Sequence, residues 1–267
     1  MVVHFASDLH LEMGPIDPST VPKGDLLLLA GDIFLPWHED RDKISRNFKD
    51  FFDTCSENFD KVLMVAGNHE HYGGFFFETN EKVAKYLSVW KNIFVLENNT
   101  VRFDTFNVFG ATFWTDNKRD DPQVAWDIHR NLSDYSVIQL TSDYIPGKSN
   151  KLRTTDTSNE HYYSVRELEK FVAECVNEGK IPLIMTHHNP SWICTDEEYR
   201  LDTISYAYSC TDIDSTTLDF PRYIWICGHS HTNLDVEFGS GRILRNPRGY
   251  VGYETKPNNF SFKELKL

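Results

Sequence analysis

Histidine, aspartate and asparagine are concentrated in five short clusters of this 267-residue chain. Imidazole nitrogens, carboxylate oxygens and amide oxygens suit divalent manganese, iron, zinc or nickel as ligands. None of the five cysteines lies within a cluster, which argues against a structural zinc site with thiolate ligands. The clusters are Ser7-Asp8-Leu9-His10, Gly31-Asp32, Gly67-Asn68-His69-Glu70, Thr186-His187-His188-Asn189-Pro190 and Gly228-His229-Ser230-His231. These residue types predict a metal site.

The number of candidate ligands indicates more than one ion. Seven such groups exceed what one ion with about four to six ligands would use, so two ions are the more economical interpretation. Two ions about 3.5–4 Å apart hold both the attacking and the leaving oxygens of phosphoryl substrates. Asp8 and His10, like His229 and His231, are two positions apart, and extended backbone points such side chains to the same side.

Short buried strands must position these clusters. Each cluster follows an apolar run, and continuous rather than alternating apolarity predicts strands that are covered on both faces. If the strands are mostly parallel, their carboxyl ends share one edge and all five clusters converge there. The predicted strands are Val2–Ala6, Leu26–Ala30, Lys61–Ala66, Val108–Ala111, Ile181–Thr186 and Tyr223–Cys227.

Helical patterns separate these strands. The predicted helices cover Asp40–Phe52, Phe75–Trp90 and Ser164–Glu178, and a hairpin is predicted from Asn233–Phe238 and Gly241–Asn246. The third helix is placed by the capping-box spacing of Ser164 and Glu167 and by Gly179 at its end.

Two long polar segments, residues 112–160 and 190–220, show no clear strand or helix periodicity. Polar segments with isolated aromatic residues are typical of surface excursions, often lids or binding loops. No linker and no internal repeat divides the chain. Residues 1–267 are therefore predicted to form a single domain.

The composition excludes several classes of protein. The chain has 40 acidic and 27 basic side chains and a formal charge of −13, which disfavours a basic surface that tracks nucleic acid. Its 19 Phe, 12 Tyr and 6 Trp exclude a fully disordered chain, and no apolar run approaches the ~20 residues of a membrane span. An odd number of cysteines without CxxC spacing and no visible secretory signal predict reduced thiols in the cytoplasm.

The clusters match, in order, the signature D-x-H, G-D, G-N-H-[DE], H and G-H-x-H over residues 8–231. The sequence in this respect resembles the calcineurin-like metallophosphoesterases. The resemblance implies an α/β fold in which two mixed β-sheets form a sandwich flanked by helices, with a dinuclear site at the strand ends. It implies that Asp32 bridges two ions, the first held by Asp8, His10 and His231 and the second by Asn68, His187 and His229.

The resemblance also implies a mechanism. His69 would be the catalytic histidine that contacts the phosphate and the leaving group without binding metal, and Asn68 would be the other substrate contact. A metal-bridging hydroxide would attack phosphorus in line. Two divalent ions against two carboxylates would leave the site at about +2, whatever the charge of the whole protein.

Departures from the signature reduce the range of possible substrates. The second motif continues as Ile33-Phe34-Leu35-Pro36-Trp37 and lacks the GDxxDRG arginine, which makes protein phosphatase activity doubtful. His10 argues against the purple acid phosphatases, which place other ligands there. The run SDLHLE with GNHEHYGG looks most similar to bacterial and phage members of unsettled substrate.

The sequence therefore predicts a metal-dependent phosphoesterase that hydrolyses phosphomonoesters or phosphodiesters of small molecules or nucleotides. Two divalent ions are the expected cofactors, with manganese preferred and iron, zinc, nickel or magnesium also suitable. A nuclease and a catalytically inactive interaction protein are the alternatives. The expected partner is a small phosphate ester, with nucleic acid disfavoured, no membrane and the oligomeric state left open.

Secondary substrate contacts are less specific. Arg119, Arg130, Arg153 and Arg200 lie in the polar segments and are candidates for a substrate phosphate, although solvated surface is the default for each. The run Asn246–Tyr250 is a candidate to close the floor of the site, and a plain β-turn is an equal alternative.

Overall fold

Two mixed β-sheets form the centre of the molecule. The computed structural model describes residues 1–38, 42–143, 149–213, 222–255 and 259–266. Within them the strands are β1 (Val3–Ala6), β2 (Gly24–Ala30), β3 (Phe59–Val65), β4 (Ile93–Leu96), β5 (Asn99–Arg102), β6 (Phe106–Ala111), β7 (Ile181–Thr186), β8 (Ile224–Cys227), β9 (Leu234–Phe238), β10 (Gly241–Arg245) and β11 (Lys263–Leu265). The helices are α1 (Asp42–Asn58), α2 (Thr79–Leu87), α3 (Asn117–Asp120), α4 (Pro122–Asn131), α5 (Asp134–Val137) and α6 (Thr154–Glu178).

The strand order explains how distant motifs meet. One sheet has the order β11-β1-β2-β3-β4 and the other β5-β6-β7-β8-β10-β9. The strands β1 to β4 are parallel, as are β6, β7, β8 and β10, whereas β11, β5 and β9 pair antiparallel at the edges. All six predicted strands and the β9–β10 hairpin are confirmed. The clusters follow strands of both sheets, which bring their carboxyl ends together.

Three apolar layers explain the continuous apolarity of the strands. Between the sheets, Leu26 and Leu28 belong to the same buried cluster as Met185 and Ile226. The alternate residues of the first sheet pack with α1 and α2, and those of the second sheet pack with α6. Each central strand therefore buries both faces, and the sandwich flanked by helices is confirmed.

Helix boundaries differ from the sequence predictions. Helix α6 begins at Thr154, ten residues before the predicted start, and Ser164 is buried inside it. The N-terminal box is formed instead by Asp156, whose carboxylate accepts the main-chain N–H of Arg153 at 2.9 Å. The predicted end is confirmed, because Gly179 has the left-handed φ of 65° and its N–H reaches back to Cys175 and Val176.

The other two helices differ in length. Helix α1 extends to Asn58, because Cys55 continues its buried face beyond Phe52. Helix α2 starts only at Thr79, because Phe76 turns away to pack with Trp114.

The polar segment 112–160 contains more helix than the sequence predicts. Asp121 caps α4 with its carboxylate, Pro122 follows as the first helical residue, and Val124 and Ile128 are buried beneath it. The described part of segment 190–220 contains three short 3₁₀ turns. Positions 144–148 and 214–221 of these segments lie outside the described residues. Among the described residues, no helix combines the length and the apolar character that crossing a bilayer requires.

Candidate metal centre and cleft

The loops that follow β1, β2, β3, β7 and β8 meet at one end of the sandwich. Hydrogen bonds join these loops within and between the sheets. Within the second sheet, the N–H of Gly228 donates to the carbonyl of His187, at 2.8 Å. The N–H of His229 donates to Oδ1 of Asp8, at 2.9 Å. The structure therefore brings all eight predicted site residues together.

The backbone is strained where these side chains leave the strands. Asp8, His10, Asp32 and His229 have positive φ values of 50°, 45°, 54° and 67°. This left-handed conformation costs roughly 1–2 kcal/mol per residue outside glycine. Strain of this kind persists at functional sites when the surrounding structure over-determines the backbone.

Asp8, His10 and His231 form the first ligand group. Their ligand atoms lie close together: Nε2 of His10 is 3.1 Å from Nε2 of His231, which lies 3.6 Å from Oδ1 of Asp8. The other ring nitrogens are held by carboxylates, because Nδ1 of His10 donates to Glu12 at 3.1 Å and Nδ1 of His231 donates to Glu254 at 2.6 Å. This arrangement leaves the Nε2 lone pairs facing the centre of the group.

Asn68, His187 and His229 form the second ligand group, which is buried. Nε2 of His187 is 3.1 Å from both Oδ1 of Asn68 and Nδ1 of His229. Nδ1 of His187 donates to the carbonyl of Ala30 at 2.9 Å, which fixes the tautomer. A Cβ on Gly31 would lie 2.5 Å from this ring nitrogen and φ there is +82°, so only glycine fits beside His187.

Asp32 lies between the two groups. Its Oδ1 is 3.5 Å from Nε2 of His187, and its Oδ2 is 3.9 Å from Nε2 of His10. Burial and the neighbouring carboxylates of Glu70 and Asp8 raise the pKa of Asp32 well above its ordinary value. One oxygen thus faces each group, as a bridging ligand requires.

These residues fit a pair of cations. Acceptor atoms that face each other without a proton between them repel, and a cation between them would remove that repulsion. Oδ2 of Asp8 is buried and has no hydrogen-bond partner among the described residues. Burial lowers the pKa of both His187 and His229 well below the ordinary value, which keeps both rings neutral and ready to bind metal.

His69 lies beside both groups. Its ring stacks on Tyr72 at 4.3 Å, its Nδ1 is 3.4 Å from Glu12, and its Nε2 is 3.1 Å from the hydroxyl of Tyr250. Burial opposes a charged ring, but Asp32, Glu12 and Asp134 outweigh it and raise the pKa of His69 to about 9. Glu12, Tyr72 and Tyr250 therefore hold the ring of His69 in place, and the surrounding carboxylates favour its protonated form.

Several supporting residues were missed by the sequence analysis. The buried carboxylate of Glu70 accepts the main-chain N–H groups of Asp32, Ile33, Phe34 and Gly67 and so ties the β2 and β3 loops together. Asp134 accepts from Nδ2 of Asn68 at 2.9 Å and thereby turns Oδ1 of that amide toward His187. Two of the supporting residues carried a signal in the sequence: Glu70 is the last position of the G-N-H-[DE] motif, and Glu12 lies two positions beyond His10.

The Asn246–Tyr250 run does close the floor of the site. The N–H of Ser7 donates to the carbonyl of Asn246. The N–H groups of Arg248 and Gly249 donate to the carbonyls of Ser7 and Asp8, respectively. The hydroxyl of Tyr250 then reaches His69. The floor interpretation is confirmed over the plain turn.

A cleft of about 670 Å³ opens over the two ligand groups. Beyond the candidate ligands and His69, its wall carries four tyrosines and four carboxylates. These are Tyr72, Tyr199, Tyr208, Tyr250, Asp134, Asp196, Asp202 and Glu254. No lysine or arginine lines it within the described part of the chain.

The four candidate arginines do not line this cleft. Arg130 stacks on Trp126, and Arg153 pairs with Asp156. Arg200 donates to the carbonyl of Thr195, at 3.2 Å. The prediction that these residues bind a substrate phosphate gains no support from their positions.

Three known proteins are similar to this chain over nearly its whole length. A relative from Acanthamoeba polyphaga mimivirus, the uncharacterized protein L509, is 23% identical over 283 residues, which cover 97% of this chain and 94% of that protein. The crystal structure of phosphopantetheinyl hydrolase from Mycobacterium tuberculosis matches with a TM-score of 0.64 at 15% identity, over 99% of this chain and 95% of that one. A dimetal phosphatase from Danio rerio matches with a TM-score of 0.51 at 14% identity, over 100% and 92%.

The two solved structures support the fold. The family model for calcineurin-like phosphoesterases matches residues 1–233, and that range contains all five clusters and both sheets up to β8. This match agrees with the sequence motifs, the sheet topology and the convergence of the ligand groups. The chain belongs to the calcineurin-like phosphoesterases, a superfamily of metal-dependent phosphoesterases.

Proposed function

We propose that this protein binds two divalent cations and hydrolyses esters of phosphate. The observation that carries the proposal is Asp32, whose two oxygens face two separate groups of ligand atoms. Asp8, His10 and His231 would hold one ion, and Asn68, His187 and His229 the other. Manganese is the metal we expect, since mixed nitrogen and oxygen ligands suit it.

Bound ions would supply a water of lowered pKa and positive charge for the phosphate oxygens. The protein residues do the rest. His69, protonated and held by Glu12 and Tyr250, lies where it can give its proton to the departing oxygen. The water oxygen would bond to phosphorus and release a proton, the ester bond to the alcohol would break, and the alcohol would leave with the proton of His69. The proton released by the water then restores His69 for the next turnover.

The cleft favours a small substrate over nucleic acid. Extended contact with a nucleic acid needs many lysines and arginines along the path of the backbone. The described wall of the cleft carries carboxylates and tyrosines in their place. We therefore propose a small phosphomonoester or phosphodiester as the substrate.

A direct assay tests this proposal. Metal-free protein loaded with Mn²⁺, Fe²⁺, Zn²⁺, Ni²⁺ or Mg²⁺ is assayed on bis-p-nitrophenyl phosphate, p-nitrophenyl phosphate and single-stranded DNA. We expect turnover of the small esters and about two ions per chain by elemental analysis. No turnover with any metal would contradict the proposal and favour an inactive interaction protein, and faster cleavage of DNA would favour a nuclease.

The variant His69→Ala separates catalysis from metal binding. Loss of a general acid lowers turnover by about 10²–10⁴-fold, whereas metal content should stay at the wild-type level. An equal loss of metal and turnover would show that His69 binds metal or supports the fold.

A further inference from the structure

The charge of the cleft wall indicates what the substrate carries beside its phosphate. Asp196 and Asp202 lie on the segment that includes Tyr199 and Tyr208, and Asp134 and Glu254 line the cleft near Tyr72 and Tyr250. Two more arginines are nearby, but neither reaches the cleft. Arg245 is fully buried and donates to Asn189, Thr232 and Cys194, and Arg248 donates to main-chain carbonyls at Leu9, Gly14 and Pro15.

Three of the four wall carboxylates accept hydrogen bonds from uncharged groups. Asp202 is exposed and accepts a main-chain N–H, and Asp196 accepts the hydroxyl of Thr232. The guanidinium of Arg245 lies 3.9 Å from Asp196 and offsets part of the charge of this one carboxylate. Glu254 accepts from Nδ1 of His231 and from the main chain of Tyr250.

Asp134 provides an independent indication. It is 1% exposed and lines the cleft, and its Oδ1 accepts from Asn68 and Tyr72. Its Oδ2 is buried and has no hydrogen-bond partner among the described residues. A buried carboxylate oxygen without a donor is costly, and a cation in the cleft would relieve that cost.

The tyrosines of the wall suit the same kind of group. The ring of Tyr208 stacks on His229 at 4.2 Å and that of Tyr72 stacks on His69, so each has one face covered beside the metal centre, and Tyr199 and Tyr250 also line the cleft. Aromatic faces attract organic cations, by about 0.5–2 kcal/mol for each contact. A second phosphate or a carboxylate that lies beyond the metal centre and His69 would instead face the carboxylates of the wall.

We propose that this cleft takes phosphate esters whose alcohol carries a positive charge, such as a protonated or quaternary amine. The inference rests on the proposed phosphoesterase function. The proposed substrates differ from nucleotides with further phosphates, because the described wall of the cleft carries no lysine or arginine that would bind those phosphates.

Three chromogenic diesters of equal size test the charge preference. They are p-nitrophenyl phosphorylcholine, its neutral isostere p-nitrophenyl 3,3-dimethylbutyl phosphate and the anionic p-nitrophenyl 3-carboxypropyl phosphate. All three release p-nitrophenol, so differences in kcat/KM report the other alcohol. We expect at least a tenfold preference for the choline ester over its isostere and a lower rate for the anionic ester.

Binding gives a second readout. The Kd of phosphocholine and of 3,3-dimethylbutyl phosphate, measured by calorimetry on the manganese-loaded protein, should differ in the same direction. The double variant Asp196→Asn/Asp202→Asn should lower the ratio of cationic to neutral ester severalfold. The variant Glu57→Gln, an exposed carboxylate on α1 outside the cleft, should leave the ratio and the rates unchanged.

The outcomes separate the two proposals. Equal rates for the choline ester and its isostere, or a preference for the anionic ester, would overturn the substrate class while bis-p-nitrophenyl phosphate is still hydrolysed. A charge preference that survives the double variant would overturn the role of the wall. Loss of turnover on every ester, including both bis-p-nitrophenyl phosphate and p-nitrophenyl phosphate, would overturn both.

Discussion

The two ligand groups are held in place by different means. In the first, His10 and His231 donate to the carboxylates of Glu12 and Glu254. In the second, His187 donates to the main-chain carbonyl of Ala30, at the end of β2. Side-chain support depends on residues that can be replaced one at a time, whereas main-chain support is present in any chain that forms the sheets.

Burial sets apart only one of these residues. The side chain of His231 is 16% exposed and lies at the cleft, whereas Asp8, His10 and His187 are fully buried. Outer partners of metal-binding histidines fix the ring and raise its basicity. The comparison therefore teaches that the main chain holds His187 of the second group, where one carboxylate, Asp134, supports Asn68, whereas both histidines of the first group depend on carboxylates. The predictions below test this division.

The largest effect is expected from Asp32→Asn. This change keeps the shape and the oxygen that accepts the N–H of His69, but it removes the negative charge shared by both groups. We expect the affinity of each group for its ion to fall by more than the ~10–100-fold that removal of an outer partner causes. Both ions should therefore be lost. Metal content and turnover check this, and two ions with normal affinity would contradict the bridging role.

Glu254→Gln should weaken the first group alone. The amide still accepts from His231, but the charge that makes the ring basic is gone. We expect about 10–100-fold weaker binding in one of two calorimetric steps for Mn²⁺. An equal change in both steps would contradict the division between the groups.

Asp134→Leu should weaken the second group, by about tenfold. Without this acceptor the amide of Asn68 can turn its NH₂ toward His187, and the hydroxyl of Tyr72 loses its partner. The same calorimetric titration checks this result. Ser136→Ala, an exposed position on the same helix α5, is the matched control and should bind both ions normally.

The last prediction concerns stability rather than metal binding and involves His71. Burial, with a contribution from His188, lowers the pKa of His71 from 6.5 to about 3. Between these values the unfolded chain binds more protons than the folded one, so stability falls as the pH falls. From pH 7 to pH 5 this group should cost about 2 kcal/mol of unfolding free energy.

His71→Phe should remove that loss, because the ring packs between Phe76 and Trp114 without a charge to gain. Urea unfolding of the metal-free protein at both pH values measures the difference. An unchanged pH dependence in the variant would show that other buried histidines account for the acid sensitivity.

Much of the fold and of the candidate site could be predicted from the sequence. The strands were visible because their apolar runs are buried on both faces, and the motifs were visible because each follows a strand directly. The start of α6 was misplaced because Ser164 and Glu167 have the spacing of a capping box. The helix nevertheless continues through both residues, and Ser164 is buried within it. The helix α4 was missed because its buried residues, Val124 and Ile128, are few.

The sequence alone determined the ligand types, their order and their places at strand ends, since these depend on local spacing and on apolar patterning. Only the tertiary structure decided which groups face each other, that Glu254 and Asp134 support them, and that the cleft wall is acidic and aromatic. Those contacts join residues dozens to hundreds of positions apart on two sheets. No local pattern encodes the distance between such residues, and it is fixed only when the sheets pack together.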